Sequence, residues 1–568
     1  MESIFILFME WIFIILAVVI FNQYIYDRYV QRHSALLFNY PVIARMRYFL
    51  EAIREPFRQY FGAELFYESR DKIEWVYKAA KNRSTFLSFS VTQPFNDDRF
   101  IIKHSNTVLN NDEVNEDMSV TFGEKHKKPF VSRSVVKRSG MSDGALSPES
   151  TRAFAMGAQH GNFPINTGEG GLTSNYFFSH RIDEKHEKCY DIVDGGEFEK
   201  KVYLIIKKLF NGAIAAKYYR KMVLKGKVKD TYILDLKKLY FFRVNWNAPI
   251  ETFPTEVPDD MPDIILQIGS GLYGVRDEEH NFDPERYKKV MRFAKMTEIK
   301  IAQGAKQTGG KIIGSKVTED IAYYRGVEAG KDLISPNRFP YASTRDELFN
   351  FIGKLQELSE KPVGMKIVIS DASDVEDLAE LIKSRKDNNL AIPDFITVDG
   401  GDGGSATAPL ELMESVGLNA INALFILDTL LAKYKVRDEL KLIASSKFLT
   451  PDDVAIGLCM GADMIAIGRA FMMSGGCIRA RHCSGVNGKC PVGMATQDRK
   501  KRLSYMVFKK AEHIKFYHEN LMKGLRTVMA VMGVTNVSDL SKKNIAFKSK
   551  SGEILFDIDK HFHKKLHV

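Results

Sequence analysis

The stretch that decides the fold is Phe395-Ile-Thr-Val-Asp-Gly-Gly-Asp-Gly-Gly404, an apolar run that ends in an acidic residue and a glycine-rich loop. Apolar runs of about four to eight residues are typical of strands buried on both faces of a parallel sheet. Glycines at the end of such a strand let another molecule approach the backbone closely. The stretch therefore predicts a buried strand whose carboxyl end carries a binding loop.

The same unit recurs along the chain. We predict eight strands, at residues 130–136, 163–166, 264–268, 298–302, 364–369, 395–398, 440–444 and 464–467. Helical stretches lie between them at 147–157, 284–294, 375–383 and 451–460, the last two capped by Asp374 and Thr450. Eight strands that alternate with helices predict the α/β class and a (β/α)8 TIM barrel.

Unusual residues follow the predicted strands at the same end of each. They are Ser139–Pro148, Asn166–Gly171, Gln303–Lys311, Lys366, Asp399–Gly404, Ser445–Lys447 and Gly468–Arg469. A glycine pair taken alone is more often an ordinary turn. Active sites of such barrels lie at the carboxyl ends of the strands, where amides and hydroxyls hold phosphate. The shared position therefore predicts a site for a flat, phosphorylated cofactor.

Three of the five cysteines, Cys477, Cys483 and Cys490, fall within fourteen residues. Thiolates this close together suit a metal centre whose iron takes sulfur ligands. Three ligands rather than four disfavour a closed zinc site, so a [3Fe–4S] cluster is the natural candidate. The alternative is three buried thiols, or a disulfide with one free cysteine.

Residues 4–21 are apolar apart from Glu10. At about 1.5 Å per residue they are long enough to cross the roughly 30 Å core of a bilayer. The segment after them carries the arginines Arg28, Arg32, Arg45 and Arg47, which favours a cytoplasmic catalytic body. The prediction is a single-pass anchor in the cell membrane, and the alternative is a buried or interfacial helix.

We predict four parts of the chain: an anchor at 1–30, an extension packed on the barrel at 31–129, the barrel with its iron–sulfur loop at 130–500, and a helical cap and tail at 501–568. An insertion at 183–262 interrupts the barrel and is rich in lysine. It is either a solvated surface subdomain, a contact with anionic lipid beside the anchor, or a dock for an acidic electron donor. The net charge is +10, but no motif indicates specific recognition of nucleic acid.

With these motifs assembled, the chain resembles the FMN-binding synthase domain of glutamate synthase, and more closely its stand-alone, membrane-anchored bacterial relatives. The motifs that carry the resemblance are Ser139-Gly-Met-Ser-Asp-Gly-Ala-Leu-Ser147, Asn166-Thr-Gly-Glu-Gly-Gly171, Gln303-Gly-Ala-Lys306, the Asp399-Gly-Gly loop, and the cysteine loop followed by Pro491-Val-Gly-Met-Ala-Thr-Gln497. The resemblance covers residues 35–180 and 262–535.

The resemblance implies FMN at the barrel mouth, beside a [3Fe–4S] cluster on Cys477, Cys483 and Cys490. The residues it places around FMN are Met141, Ser142, Lys366, Asp402, Gly403, Gly404, Ser445, Ser446, Lys447, Gly468 and Arg469. It assigns the 2-oxoglutarate carboxylates to Lys306, Lys311 and Arg325. It gives catalytic roles to Glu169, as a relay or proton donor, and to Lys306 and Lys366.

The implied activity is formation of L-glutamate from 2-oxoglutarate and ammonia by hydride transfer from reduced FMN. Electrons would reach FMN through the cluster from ferredoxin or a separate NAD(P)H reductase, and no glutaminase domain is expected. Lys311 stands where the family usually has a glutamine, which leaves open an FMN-dependent oxidoreductase with another substrate. A non-catalytic membrane component for electron transfer is a further alternative.

Overall fold

The computed structural model describes residues 2–52, 69–86, 98–210, 212–307, 309–405, 408–413, 415–479, 483 and 490–566. Eight parallel strands close into a barrel in it, which confirms the predicted fold class. Barrel strands one to eight are Val136–Arg138, Ile165–Asn166, Ile264–Ile268, Met296–Lys300, Val363–Ile367, Phe395–Asp399, Lys441–Ser446 and Met464–Ile467. Strand eight pairs with strand one, with Ile465 opposite Val136.

Helices follow the strands on the outside of the barrel. They are Pro148–Gly161, Pro284–Met291, Arg345–Ser359, Ala372–Asp387, Ala420–Lys433, Pro451–Cys459 and Arg469–Ser474, with the long helix Val507–Met532 packed along the first of them. Thr450 caps its helix as predicted. The prediction of Asp374 as a cap is wrong, because the helix begins earlier and Asp371 accepts the Ser373 amide at 3.1 Å.

The first predicted strand, 130–136, is two elements. Phe130–Ser132 pairs antiparallel with Val120–Phe122, and only Val136–Arg138 joins the barrel. The chain turns between them, where the Ser132 hydroxyl donates to the Ser134 carbonyl at 2.7 Å. The hairpin closes the bottom of the barrel, which is the end where the strands begin. Phe122 and Phe130 of the hairpin pack on Ile265, Met296, Phe395, Ile443, Met464 and Ala466.

The segment 183–262 builds a small layer of its own. It contains a three-stranded antiparallel sheet of Tyr190–Asp194, Tyr240–Val244 and Ile233–Leu234, and a pair of helices, Glu197–Leu209 and Gly212–Val223. Tyr203, Tyr219, Tyr232 and Phe241 form its buried core. This segment meets the barrel at Asp230, whose carboxylate accepts from Arg502 at 2.9 Å.

The N-terminal helix Glu2–Ile25 continues into a wide helical turn, Tyr26–Val30. In the described part of the chain, Met9–Val30 is the one helical stretch long and apolar enough to cross a membrane. The helices Ala35–Asn39, Ala44–Ala52 and Arg70–Ala80 come next. At the other end, Ile545–Lys548 pairs with Arg99–Ile102 and with Ile554–Leu555, before a last helix, Ile558–Leu566. A two-stranded ladder, Lys311–Ile312 with Leu333–Ile334, frames the helix Glu319–Arg325.

Candidate active site at the mouth of the barrel

A charged network fills the middle of the barrel, with the Glu298 carboxylate at its centre. Lys137 lies 3.1 Å from that carboxylate, and both side chains are only 1% exposed. Three further donors reach it: Asn166 at 2.8 Å, Gln267 at 2.6 Å and Thr397 at 2.6 Å. Burial opposes ionisation, but the ammonium groups of Lys137 and Lys366 and these hydrogen bonds lower the pKa of Glu298 to about 2. Glu298 is therefore a fixed negative charge beneath the mouth.

Lys366 lies on strand five beside Asp399, with 3.0 Å between its Nζ and the carboxylate. Burial alone would lower the pKa of Lys366, but the carboxylates of Asp399 and Glu298 outweigh it and raise the pKa. Asp399 also accepts the Gly304 amide at 3.0 Å, which ties the end of strand six to the loop after strand four. Lys366 is thus a stable cation held at the floor of the mouth.

Glu169 sits in the turn Gly168–Gly170 after strand two, and its carboxylate accepts from Lys300 at 2.6 Å. Lys300 is the last residue of strand four. The first residue after strand three, Gly269, must be small while Glu169 is held there, because a Cβ at Gly269 would lie 2.2 Å from the Glu169 carboxylate. The backbone therefore makes room for this carboxylate over the barrel.

Two predicted substrate cations are buried near Glu169. Lys306 is 5% exposed, and burial together with the nearby charge of Lys300 lowers its pKa, while Glu169 acts in the opposite direction. Arg325 is also 5% exposed; its guanidinium lies over the Tyr273 ring at 5.1 Å, and Glu169 favours its charge. The third, Lys311, is exposed at the rim, with Asp332 at 4.0 Å. The structure thus brings Lys306 and Arg325 around one carboxylate and leaves Lys311 at the edge.

The predicted cofactor residues line the remaining side of the mouth. Ser142 packs against the turn of Glu169, since a Cβ on Gly168 or Gly170 would contact it within 3 Å, and Met141 is partly buried beside it. Asp402 accepts from the Ser446 hydroxyl at 2.8 Å and from the Ala420 amide at 3.2 Å, so it braces its own loop. The other members lie close by at the ends of strands six to eight: Gly403, Gly404, Ser445, Lys447, Gly468 and Arg469.

The cysteine loop is described only in part. Burial raises the pKa of the Cys477 thiol to about 11, and the charges of Cys490 and Cys483 add to the rise. Lys316 donates to the Cys483 carbonyl at 2.7 Å, and Tyr77 donates to the Cys477 carbonyl at 2.6 Å. Among the described residues no three His, Cys, Asp or Glu side chains converge closely enough to hold a metal ion, and 480–482 and 484–489 lie outside them. The [3Fe–4S] cluster therefore stays a prediction.

Residues 68–535 match the family described as a conserved region in glutamate synthase. The chain belongs to the glutamate synthase family. One family relative, the glutamate synthase large subunit-like protein YerD of Bacillus subtilis (strain 168), is 32% identical over 611 aligned positions, which cover 99% of each chain. The extent of this match includes the N-terminal helix and the insertion.

Other glutamate synthases match in part. An archaeal-type glutamate synthase (NADPH) of Dehalococcoides mccartyi is 29% identical over 254 residues, 44% of this chain and 47% of the relative. A ferredoxin-dependent glutamate synthase of Pyropia yezoensis is 30% identical over 289 residues, 50% of this chain and 17% of the relative. The chain thus spans less than half the length of these two. Among solved structures, a mutant flavocytochrome b2 with benzoylformate gives a TM-score of 0.40 at 14% identity, over 84% of this chain and 79% of that one.

The mouth of this glutamate synthase family member offers donors that suit FMN, the cofactor that the resemblance implies. The buried ammonium of Lys366 suits the pyrimidine side of a flavin, where negative charge collects on reduction. Gly404 is exposed, and a Cβ there would come within 2.8 Å of the Arg469 guanidinium, so glycine keeps space beside that cation for a phosphate. The residues present therefore fit the cofactor.

Sequence reasoning missed three residues of the site: Lys137, Glu298 and Lys300. A signal for them exists in strand four, Met296-Thr-Glu-Ile-Lys300. Alternate residues of a strand point to the same face, so Met296, Glu298 and Lys300 line the barrel interior. A charged residue at an inward position of a buried strand is rare unless it is paired. That pattern could have predicted the network before the fold was known.

Proposed function

We propose that this protein is a glutamate synthase-type oxidoreductase that forms L-glutamate from 2-oxoglutarate and ammonia, with FMN at the barrel mouth. The observation that supports this most is the Glu169 carboxylate, which Lys300 holds at 2.6 Å and whose charge favours the charged forms of the buried Lys306, Arg325 and Lys366. A dicarboxylate needs paired cations, and a reaction at the carbon between them needs a group that donates a proton. Few other arrangements of these residue types would serve both needs.

Each residue then has a defined task. Lys306 and Arg325 hold the two carboxylates of the substrate and fix the reacting carbon over the mouth. Glu169, held by Lys300, carries a proton at its carboxylate to the nitrogen that becomes the amino group. Lys366 stabilises negative charge at the floor, and Asp399 and Glu298 keep it charged. FMN, when bound, supplies the electron pair that reduces the carbon–nitrogen double bond.

We also propose an electron donor and a membrane anchor for this protein. The names of two relatives, one ferredoxin-dependent and one using NADPH, support ferredoxin or a separate reductase as donor. Cys477, Cys483 and Cys490 are the residues that would hold an iron–sulfur cluster, and such a cluster would supply one-electron transfer between the donor and FMN. The helix Met9–Val30 and the arginines after it support a single-pass anchor with the barrel on the cytoplasmic side.

The test begins with the full chain purified in detergent, from which FMN and iron are released and quantified. Glutamate formation is then followed by NMR from 15N-ammonium, 2-oxoglutarate and chemically reduced viologen. We expect one FMN per chain and label in the amino group of glutamate. A chain that holds reducible FMN but forms no glutamate would contradict the proposal.

Variants locate the reaction in the proposed site. Lys306→Met and Arg325→Met each remove a charged hydrogen-bond donor, worth about 1.5–3 kcal/mol, so kcat/KM should fall about ten- to hundred-fold. Lys331→Met is the matched control, because Lys331 is 70% exposed and pairs with the neighbouring Glu328 at the surface. Equal losses of kcat/KM in all three variants would contradict the assignment of Lys306 and Arg325 to the substrate carboxylates.

One observation favours a second candidate, an FMN-dependent oxidoreductase of the same fold with another acidic substrate. Lys311 is half exposed at the rim, with Asp332 as its partner. A cation there suits a ligand that is longer or carries more negative charge than 2-oxoglutarate. Turnover of a longer oxo acid that exceeds turnover of 2-oxoglutarate, and that falls in Lys311→Gln, would select this candidate.

A further inference from the structure

The helix Glu197–Leu209 of the insertion exposes a row of large apolar side chains. Phe198, Ile205 and Leu209 are 71%, 57% and 69% exposed, and their i, i+7, i+11 spacing puts them on one face. Phe210, just after the helix, is 70% exposed and extends the row. We call these four residues the apolar stripe. Exposed apolar residues scattered singly are ordinary, but a contiguous row indicates an interaction surface.

Lysines border the apolar stripe. Lys201 and Lys208 are exposed and lie one helical turn from its members, and Lys207 is exposed near its end. The opposite side of the helix carries Tyr203, which is buried in the core of the insertion against Tyr219 at 5.4 Å between ring centroids. The helix is therefore fixed with the stripe and the lysines directed outward. An apolar face edged by lysine is the composition of helices that lie in a membrane interface.

The insertion and the segment that follows the N-terminal helix contact two neighbouring residues of the chain, Arg502 and Ser504. Arg502 binds Asp230 of the insertion at 2.9 Å. Two residues further on, Ser504 accepts from Asn39 at 3.1 Å, at the end of the short helix Ala35–Asn39. A membrane entered by Met9–Val30 would therefore lie on the side of the barrel that bears the insertion.

A second surface of the same character lies between them in sequence. The helix Ala44–Ala52 exposes Met46, Phe49 and Leu50 at 58%, 59% and 52%. It also carries Arg45 and Arg47. Large apolar and basic side chains are thus exposed both on the insertion and on a helix that follows the apolar N-terminal helix in sequence, and solvent exposure alone is a poor explanation for both.

We propose that the helix Glu197–Leu209 lies on a membrane surface rich in anionic phospholipid, with the apolar stripe among the acyl chains and the lysines at the headgroup phosphates. This inference rests on the proposed anchor and goes beyond the proposed reaction. An acidic protein would satisfy the lysines but would leave Phe198, Ile205 and Leu209 against a polar surface. Burial of apolar area contributes about 25 cal/mol per Å², so the stripe favours lipid.

The test uses the full chain in vesicles of phosphatidylcholine and phosphatidylglycerol, with and without brominated acyl chains that quench tryptophan. Phe198→Trp adds a reporter to the three native tryptophans. Trp11, in the N-terminal helix, reports insertion of the anchor in the unmodified chain. We expect the fluorescence added by Trp at position 198 to be lost in brominated vesicles, as that of Trp11 is.

Leu390→Trp is the matched control. Leu390 is 52% exposed and precedes strand six, so it lies at the bottom of the barrel. The segment around Ser504, which contacts the residues after the anchor, lies toward the mouth of the barrel instead. Gln497, just before it in the chain, donates to the Gly144 carbonyl at the mouth at 2.9 Å. The signal added at 390 should survive bromination. Quenching of Trp11 without quenching of the fluorescence added at position 198 would support the membrane anchor. The same result would contradict the proposed membrane contact of the helix Glu197–Leu209.

The role of charge is tested on the Phe198→Trp background. Lys201→Glu with Lys208→Glu should restore the fluorescence at 198, and so should vesicles of phosphatidylcholine alone. Lys560→Glu with Lys564→Glu, at two exposed positions of the last helix, makes the same change in net charge and should have no effect. If quenching at position 198 is the same with either pair of lysine substitutions and in vesicles without anionic lipid, the proposed preference for anionic phospholipid is wrong.

Discussion

Two layers of the barrel interior differ sharply although the same strands build both. At the bottom, Ile265, Met296 and Phe395 pack with the phenylalanines of the hairpin. Two residues further along the same strands, Gln267, Glu298 and Thr397 form a network with a buried charge at its centre. The bottom layer stabilises the fold by removing apolar area from water.

The middle layer stabilises little on its own account. A buried ion pair such as Lys137 with Glu298 loses in desolvation most of what it gains by attraction, and apolar residues of equal volume serve stability as well or better. Its value lies in the field that it presets beneath the mouth, where Lys366 must stay charged. The difference between the layers therefore separates the part of the barrel kept for folding from the part kept for chemistry.

The largest expected effect comes from breaking the middle layer with Glu298→Gln. The amide keeps the shape but leaves the Lys137 ammonium buried without a counter-charge, which costs about 3–5 kcal/mol. The urea midpoint of unfolding, followed by tryptophan fluorescence in detergent, should fall accordingly. Glu285→Gln is the control, because it breaks an exposed pair with Lys288 worth at most about 1 kcal/mol. Similar losses in both variants would show that the two layers do not differ as described.

Acid should reduce the difference in unfolding free energy between the original chain and Glu298→Gln. The pKa of Glu298 is lowered from 4.5 to about 2, so its ionised form stabilises the fold above pH 4.5, and this contribution is lost as pH falls through about 2. The shift corresponds to about 3 kcal/mol. Unfolding of the original chain and of Glu298→Gln, measured from pH 6 to pH 2, should therefore converge. A gap that stays constant over this range would contradict the lowered pKa.

The sequence predicts the barrel well because strands buried on both faces appear as apolar runs, and because glycines collect where strands end. It does not show where sheet membership changes inside an apolar run, so the pattern assigns Phe130–Ser132 to the barrel although these residues form the closing hairpin. The cap of Ala372–Asp387 is misplaced for a related reason. Asp371 and Asp374 are equally good caps by type, and only the packed helix decides between them.

The site is predictable in its parts and less so in its connections. Lys306, Lys366 and Arg325 stand in recognisable motifs, but the pairing of Glu169 with Lys300 joins residues 131 positions apart, which no local pattern shows. Asp402 illustrates the converse. Its motif places it with the cofactor, whereas its hydrogen bonds to Ser446 and Ala420 show that it orders the loop. Cys477, Cys483 and Cys490 are described, but most of the loop between them lies outside the described residues, and the cluster stays a prediction.

Removing the charges of Lys137 and Glu298 together should have a smaller effect on stability but should still reduce activity. Lys137→Met with Glu298→Gln leaves no unpaired charge and keeps an amide for Asn166 and Gln267. We expect recovery to within about 2 kcal/mol of the original chain, so the two changes should be strongly non-additive. Glutamate formation should stay low, because Lys366 loses one of the carboxylates that keep it charged. Full activity in the double variant would show that the network serves the fold alone.

The smallest effect should come from the bottom layer. Phe122→Leu changes a fully buried side chain that stacks on Phe130 at 6.1 Å between ring centroids. This exchange removes three carbon atoms but keeps the position apolar, and after partial repacking of the hairpin it should cost about 1–2 kcal/mol. FMN content and turnover per folded chain should not change, because no charged group of the mouth contacts this layer in the described residues. A loss of turnover as large as that of Glu298→Gln would mean that the bottom layer also positions the mouth, and the functional distinction between the layers would have to be abandoned.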